Sequence, residues 1–102
     1  MPPDLRLRFD RRAEADLAEI ADWILGQADA ATAHPYVDRI VARCSKLLDS
    51  LRGGRVRRKG RPPIRSVPFE RSATILYRVG RSALIVFRVL RRGRDVDAFL
   101  AR

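Results

Sequence analysis

The stretch Ala73–Leu90, ATILYRVGRSALIVFRVL, constrains this chain more than any other. Two apolar runs flank Gly80-Arg81-Ser82, the pattern of a β-hairpin. Side chains alternate along a strand, so loop length decides which residues share a face. A three-residue loop, Gly80 to Ser82, puts Ile75, Tyr77 and Val79 with Ala83, Ile85, Phe87 and Val89 on a wholly apolar face. Thr74, Leu76, Arg78, Leu84, Val86, Arg88 and Leu90 take the other. A two-residue loop would set Arg88 beside Ile75, Tyr77 and Val79, and Arg78 beside Ile85 and Phe87. The cleaner separation favours the three-residue loop. One face is then core. The other, apolar strips interleaved with arginine, is expected to meet a partner.

A chain of 102 residues forms one domain, 1–102, long enough to bury most of its apolar surface. A single cysteine, Cys44, rules out an intrachain disulfide and a Cys-rich metal site. No cofactor and no metal are expected. No apolar run approaches the ~18–20 residues of a membrane span, and MPPDLRLRFD lacks a signal-peptide pattern. A cytoplasmic protein is expected. Charge is lopsided: residues 1–51 hold 7 Lys+Arg against 9 Asp+Glu, whereas residues 52–102 hold 15 against 3. A basic half on a mildly acidic body implies an anionic partner, whether nucleic acid, a nucleic-acid enzyme or an acidic protein segment.

Leu5-Arg6-Leu7-Arg8-Phe9 alternates as a strand does, with Arg6 and Arg8 on the arginine face. Asp10 is a candidate N-cap for a helix running to about Gln27, its stripe set by Ala13, Leu17, Ile20, Ala21, Ile24 and Leu25. Trp23, at the stripe's edge, reads as core or hairpin packing. A second helix runs from about Thr32 to Leu51, with Pro35 in its first turn. Its stripe is Val37, Ile40, Val41, Cys44, Leu47, Leu48 and Leu51. His34, the only histidine, reads as a surface residue. Residues 52–61, RGGRVRRKGR, are Gly- and Arg-rich and aperiodic, and read as a loop able to contact phosphate. Ile64 to Phe69 is extended, with Pro68 at a bend or an edge. Arg91, Arg92 and Arg94 crowd the last strand's end, and Asp95 could cap a final turn holding Val96, Phe99 and Leu100. The order is β-α-α-β-β-β, an α+β fold. An antiparallel sheet carries an αα-hairpin on one face and leaves the other open.

The phrase AEADLAEIADWI, the Gly54-Arg55 pair, and IRSVPFERSATILYRVGRSALIVFRVLRRGRD together resemble the ParE branch of the RelE/ParE toxin superfamily. The resemblance spans nearly the whole chain. Its most specific parts are Arg65, Tyr77-Arg78-Val79, and Val89-Leu90 leading into an Arg/Gly/Asp tail. It implies a type II toxin–antitoxin module whose toxin is neutralised by a cognate antitoxin. A partly acidic amphipathic segment of that antitoxin would cover the arginine face, at Arg6, Arg8, Leu76, Arg78, Leu84, Val86, Arg88 and Leu90.

ParE-like members of this superfamily poison DNA gyrase by binding, and RelE-like members cleave messenger RNA in the ribosome. Ribonuclease chemistry needs proton-transfer groups around the phosphate. The resemblance leaves few of them here. The tail after Leu90 holds no Tyr or His, Arg91 stands where ParE relatives often have His, and Thr74 stands where RelE-like enzymes place a catalytic arginine. A ribonuclease would have to use Arg65, Arg88 and Arg91 on phosphate with Lys59 or Glu70 in proton transfer. Arginine, always protonated, is a poor base. The ParE-like activity is therefore expected, with no catalytic residue and with Arg57, Arg58, Lys59, Arg61, Arg91, Arg92 and Arg94 as target contacts.

Overall fold

A computed structural model describes residues 5–101, and the side chain of Ala30 is not described. Residues 1–4 of the N-terminal stretch read above lie outside the described residues. The elements are β1 (Arg6–Phe9), α1 (Arg11–Gln27), α2 (Ala30–Lys46), a 3-10 turn (Leu47–Asp49), β2 (Arg55–Arg58), β3 (Ile64–Phe69), β4 (Ala73–Val79), β5 (Ala83–Arg91) and α3 (Val96–Leu100). The strands make one sheet in the order β1-β5-β4-β3-β2. The α+β class stands, with a mixed sheet: β2 to β5 are antiparallel and β1 joins β5 in parallel. The αα-hairpin lies between β1 and the remaining strands in sequence, so it returns the chain to the sheet at β2 and leaves β1 to pair alongside β5.

The helix starts follow local chemistry. Asp10 takes an extended N-cap conformation before α1, and Glu14 sits in the first turn where the helix dipole favours an acid. Asp29 caps α2 by accepting the Thr32 N–H at 3.0 Å. That cap starts α2 before Thr32, so Pro35 lies in the second turn and forfeits a helical hydrogen bond.

The hairpin register differs from the expected one. Gly80 N–H donates to Ala83 O at 2.8 Å, leaving a two-residue loop, Arg81-Ser82. Val79 pairs with Leu84 and Tyr77 with Val86, yet Leu76 pairs with Arg88. Phe87 is the extra residue of a β-bulge. The bulge flips the alternation midway along β5. Leu84, Val86 and Val89 therefore join Ile75, Tyr77 and Val79 under the helices, while Phe87 packs with Leu76 and Leu90 on the opposite face. Leu84 and Val86 are fully buried, so they leave the surface patch assigned above.

The main core sets Ile20, Ile24, Ile40, Cys44 and Leu47 of the helices against Val67, Phe69, Ile75, Tyr77, Leu84, Val86 and Val89 of the sheet. Each of the larger aliphatic side chains contributes roughly 1.5–3 kcal/mol of hydrophobic stabilisation. The second face is not left open. Asp95 caps α3 by accepting the Ala98 N–H at 3.1 Å, and α3 lays Val96, Phe99 and Leu100 over Leu76, Phe87 and Leu90.

Residues 52–61 contain β2, an edge strand that pairs with β3. Pro68 lies past the end of β2, at a point where the outer edge of β3 needs no donor.

Candidate functional site

Twenty of the 22 basic residues in this chain are arginine, and the fold has already used several of their guanidiniums. Arg88 is one of them. Its Nε and Nη2 donate to the Asp16 carboxylate at 2.8 and 3.0 Å, and Asp16 also accepts the Val89 N–H at 2.8 Å. β1 has ended by this level of β5, and Asp16 of α1 takes the place of the missing strand. The guanidinium lies 4.7 Å from the Phe99 ring centroid, so it also ties α3 down. The hydrogen bonds to Asp16 raise the Arg88 pKa above the ordinary arginine value.

Arg65 is used as well. Its Nη1 donates to Gly54 O at 3.0 Å and to Arg52 O at 3.3 Å. From the other side, the buried Tyr77 hydroxyl accepts the Gly54 N–H at 2.9 Å and donates to Leu51 O at 3.1 Å. A Cβ at position 54 would come within 2.5 Å of the Tyr77 Oη, so only glycine fits there. Gly54, Arg65 and Tyr77 together pin the chain between α2 and β2. They are structural, although the resemblance was carried by them.

The proposed ribonuclease set does not converge. Glu70 is bound by Arg39 through Nε at 2.8 Å and Nη2 at 3.1 Å. Those hydrogen bonds hold the Glu70 carboxyl below its ordinary pKa, and the Arg39 guanidinium above its own. Lys59 follows β2 near the Ile64 end of β3, and Glu70 follows its Phe69 end. The strand between them spans about 20 Å at ~3.3 Å per residue. Arg65, Arg88 and Arg91 have other partners or positions.

The target-contact residues split into two groups. Arg57 is engaged by Ser66 Oγ at 2.8 Å and by Asp97 at 3.4 Å, and Arg58 reaches Leu100 O at 3.5 Å. With exposed Lys59 and Arg61 they form a basic corner at the β2 edge. Arg91, Arg92 and Arg94 lie at the other end of the sheet. Of the antitoxin patch, Arg6 and Arg8 are exposed and Arg78 half-buried over the Phe87 ring, 5.8 Å from its centroid. Arg8 and Arg78 share a hollow with Arg11, Arg12 and half-buried Ile85. Leu76 and Leu90 are 0% and 2% exposed beneath α3.

Sequence reasoning missed one concavity. An open cleft of ≈ 850 Å³ lies between the C-terminal half of α1, the start of α2, the β3–β4 turn and the chain after β5. Trp23 stands on its wall, 53% exposed rather than packed in the core, and the Arg91 guanidinium lies 5.3 Å from its ring centroid. Glu70 and Arg71 both take left-handed backbone conformations, φ 46° and 59°, a strained pair for residues other than glycine. The turn is held by Ser72 N–H on Phe69 O at 2.9 Å and by the Tyr36 and Ser72 hydroxyls at 2.6 Å, and it brings Arg71 to the cleft rim. The one signal in sequence was Trp23 falling at the edge of its helical stripe.

An αα-hairpin thus lies on one face of a five-stranded mixed sheet, with exposed arginines at its edges. The same fold occurs in a chain described as "Chromosomal ParDE TA system from P. aeruginosa", with a TM-score of 0.75 at 23% identity, over 87% of this chain and 97% of that one. A family model, the ParE toxin of type II toxin-antitoxin system, parDE, matches residues 7–96, and the chain belongs to that family. Among curated proteins no sequence match is found.

Proposed function

We propose that this ParE-family chain is a single toxin domain that inhibits DNA gyrase by binding, without chemistry of its own. The observation that carries the reading is the dispersal of the polar groups. Glu70 is neutralised by Arg39, Lys59 lies at the far end of β3, and Arg88 is locked to Asp16. General acid–base catalysis needs its groups within hydrogen-bond reach of one substrate position. A binding inhibitor needs only an exposed cationic surface, and the corner at Arg58, Lys59 and Arg61 supplies one. The toxin acts in the cytoplasm, where gyrase is. Among the described residues no helix is long and apolar enough to cross a membrane.

The cognate antitoxin covers the outer face of the sheet along Arg6, Arg8 and Arg78, with Ile85 and Phe87 as apolar contacts. Leu76 and Leu90 contribute through the α3 layer that lies over them. An acidic amphipathic segment matches that surface in both charge and hydropathy.

The test is a gyrase supercoiling assay with purified protein, scored also for trapped, cleaved DNA. Inhibition reversed by the cognate antitoxin is expected. No effect at large excess of folded protein, together with messenger cleavage on programmed ribosomes, would replace this reading with a RelE-like ribonuclease.

A further inference from the structure

The cleft beside Trp23 has two unlike sides. The side formed by the β3–β4 turn and the chain after β5 carries Arg71, Arg91, Arg92 and Arg94, all exposed. Among the described residues none of these four forms an ion pair, and the one carboxylate lining the cleft, Glu70, is taken by Arg39. The helical side is lined by buried Ile20 and Ile24 and by exposed Trp23, Gln27 and Thr32. Charge reverses along those helices. Residues 13–38 hold no Lys or Arg, and Glu19 and Asp22 of α1 and the α2 cap Asp29 are exposed. Positive potential is therefore confined to one side of the cleft and stops at its helical wall.

We propose that this cleft binds a nucleoside polyphosphate, with its phosphates on the arginine side and its base against Trp23. The inference goes beyond the gyrase reading and does not depend on it. A triphosphate carries about four negative charges near neutral pH, and the four guanidiniums meet it with forked donors suited to phosphate oxygens. Trp23, 53% exposed, supplies an aromatic plate for the base, with Ile20 and Ile24 as an apolar floor. Gln27 and Thr32 offer polar groups to the base edge. Arg91 belongs to both halves, because its guanidinium rests 5.3 Å from the indole centroid. The cleft volume of ≈ 850 Å³ falls within the roughly 300–1,000 Å³ of small-molecule sites. Inorganic phosphate would leave the indole and the aliphatic floor unused. A longer single strand needs a continuing cationic track, and on the helical side it meets Glu19, Asp22 and Asp29 instead. A single nucleotide uses both sides of the cleft and stops short of the acids.

Trp23 is the only tryptophan in the chain, so its fluorescence reports on the cleft directly. The whole protein is titrated with ATP, GTP, CTP and UTP, with AMP, with inorganic triphosphate and with a short oligothymidine. Binding is read by calorimetry and by Trp23 emission, excited beyond the nucleotides' own absorption. One or more nucleoside triphosphates should bind, quench Trp23, and weaken at higher salt. AMP should bind about tenfold or more weakly than ATP, having lost most of the charge. Arg91→Glu with Arg92→Glu should weaken nucleoside triphosphate binding about tenfold or more. Trp23→Leu, followed by calorimetry, should weaken it about fivefold or more while leaving inorganic triphosphate unchanged. Arg6→Glu with Arg8→Glu, away from the cleft, should change nothing. Circular dichroism establishes that the variants are folded. The proposal is overturned if no nucleoside triphosphate binds at millimolar concentration, or if inorganic triphosphate binds as tightly as they do. It is also overturned if the Arg91/Arg92 variant binds them as tightly as the wild type, or if oligothymidine binds more tightly than all of them.

Discussion

Arg88 and Arg91 are three residues apart on one strand and have opposite fates. Arg88 sits between α1, β5 and α3, its fork closed on Asp16 and its face on Phe99. Arg91 stands in solvent at the rim of a cleft, resting on an exposed indole. Both contribute one positive charge to the basic half of the chain. Only the second is available to a partner. In an arginine-rich protein, charge counting therefore overstates the binding surface, because the fold uses part of the charge to close its own seams.

Unlocking Arg88 should have the largest effect. Asp16→Ala leaves a largely buried guanidinium unpaired and the Val89 N–H without its acceptor. It should cost about 3–5 kcal/mol, read by urea denaturation. A loss below ~1 kcal/mol would show that Arg88 is held by nothing essential. The clamp at the α2–β2 connection should respond next. Tyr77→Phe strands the Gly54 N–H and the Leu51 carbonyl and should cost about 1–3 kcal/mol, with amide exchange accelerated around residues 51–55.

A third prediction concerns pH. Burial pushes the Cys44 thiol up from 9.0 to about 12. In the unfolded chain the thiol ionises near 9, whereas in the folded protein it stays protonated. Its contribution is fully present below pH 9 and is lost as pH rises from 9 to 12. The slope is at most ~1.4 kcal/mol per pH unit. Comparing denaturation of the wild type and Cys44→Ala across that range isolates it, and the wild type should lose stability faster. The smallest effect is expected at the unlocked arginine. Arg91→Ala should change stability by no more than ~0.5–1 kcal/mol, the worth of an exposed cation–π contact, while visibly altering Trp23 emission.

Much of the fold was legible because its signals are local. The stripes of α1 and α2, the alternation of β1, the Asp95 cap and the apolar runs of β4 and β5 all announce themselves in short windows. Three features were not legible. The bulge at Phe87 joins two registers that each look consistent alone, so neither uninterrupted hairpin was right, and Leu84 and Val86 went to the wrong face. β2 has one apolar residue, Val56, which is itself exposed. Its strand character comes from backbone pairing with β3, which hydropathy does not record. The cleft draws Trp23, Tyr36, Arg71 and Arg91 from four separated segments, and no spacing rule links them. Arg65 and Tyr77 were conspicuous in sequence for a role that is structural, as their hydrogen bonds to residues 51–54 show.

A toxin that acts by occupying its target needs no proton-transfer pair. The most direct measurement is gyrase supercoiling inhibition by Lys59→Ala with Glu70→Ala, beside the wild-type protein. Removing one exposed cation from a contact surface, together with a carboxylate that serves only Arg39, should weaken inhibition by less than about tenfold. If the pair were the proton-transfer groups of a ribonuclease, the folded variant would lose about 10²-fold or more of its activity. Messenger RNA on programmed ribosomes would be cut by the wild type and spared by the variant. That pattern would contradict the account.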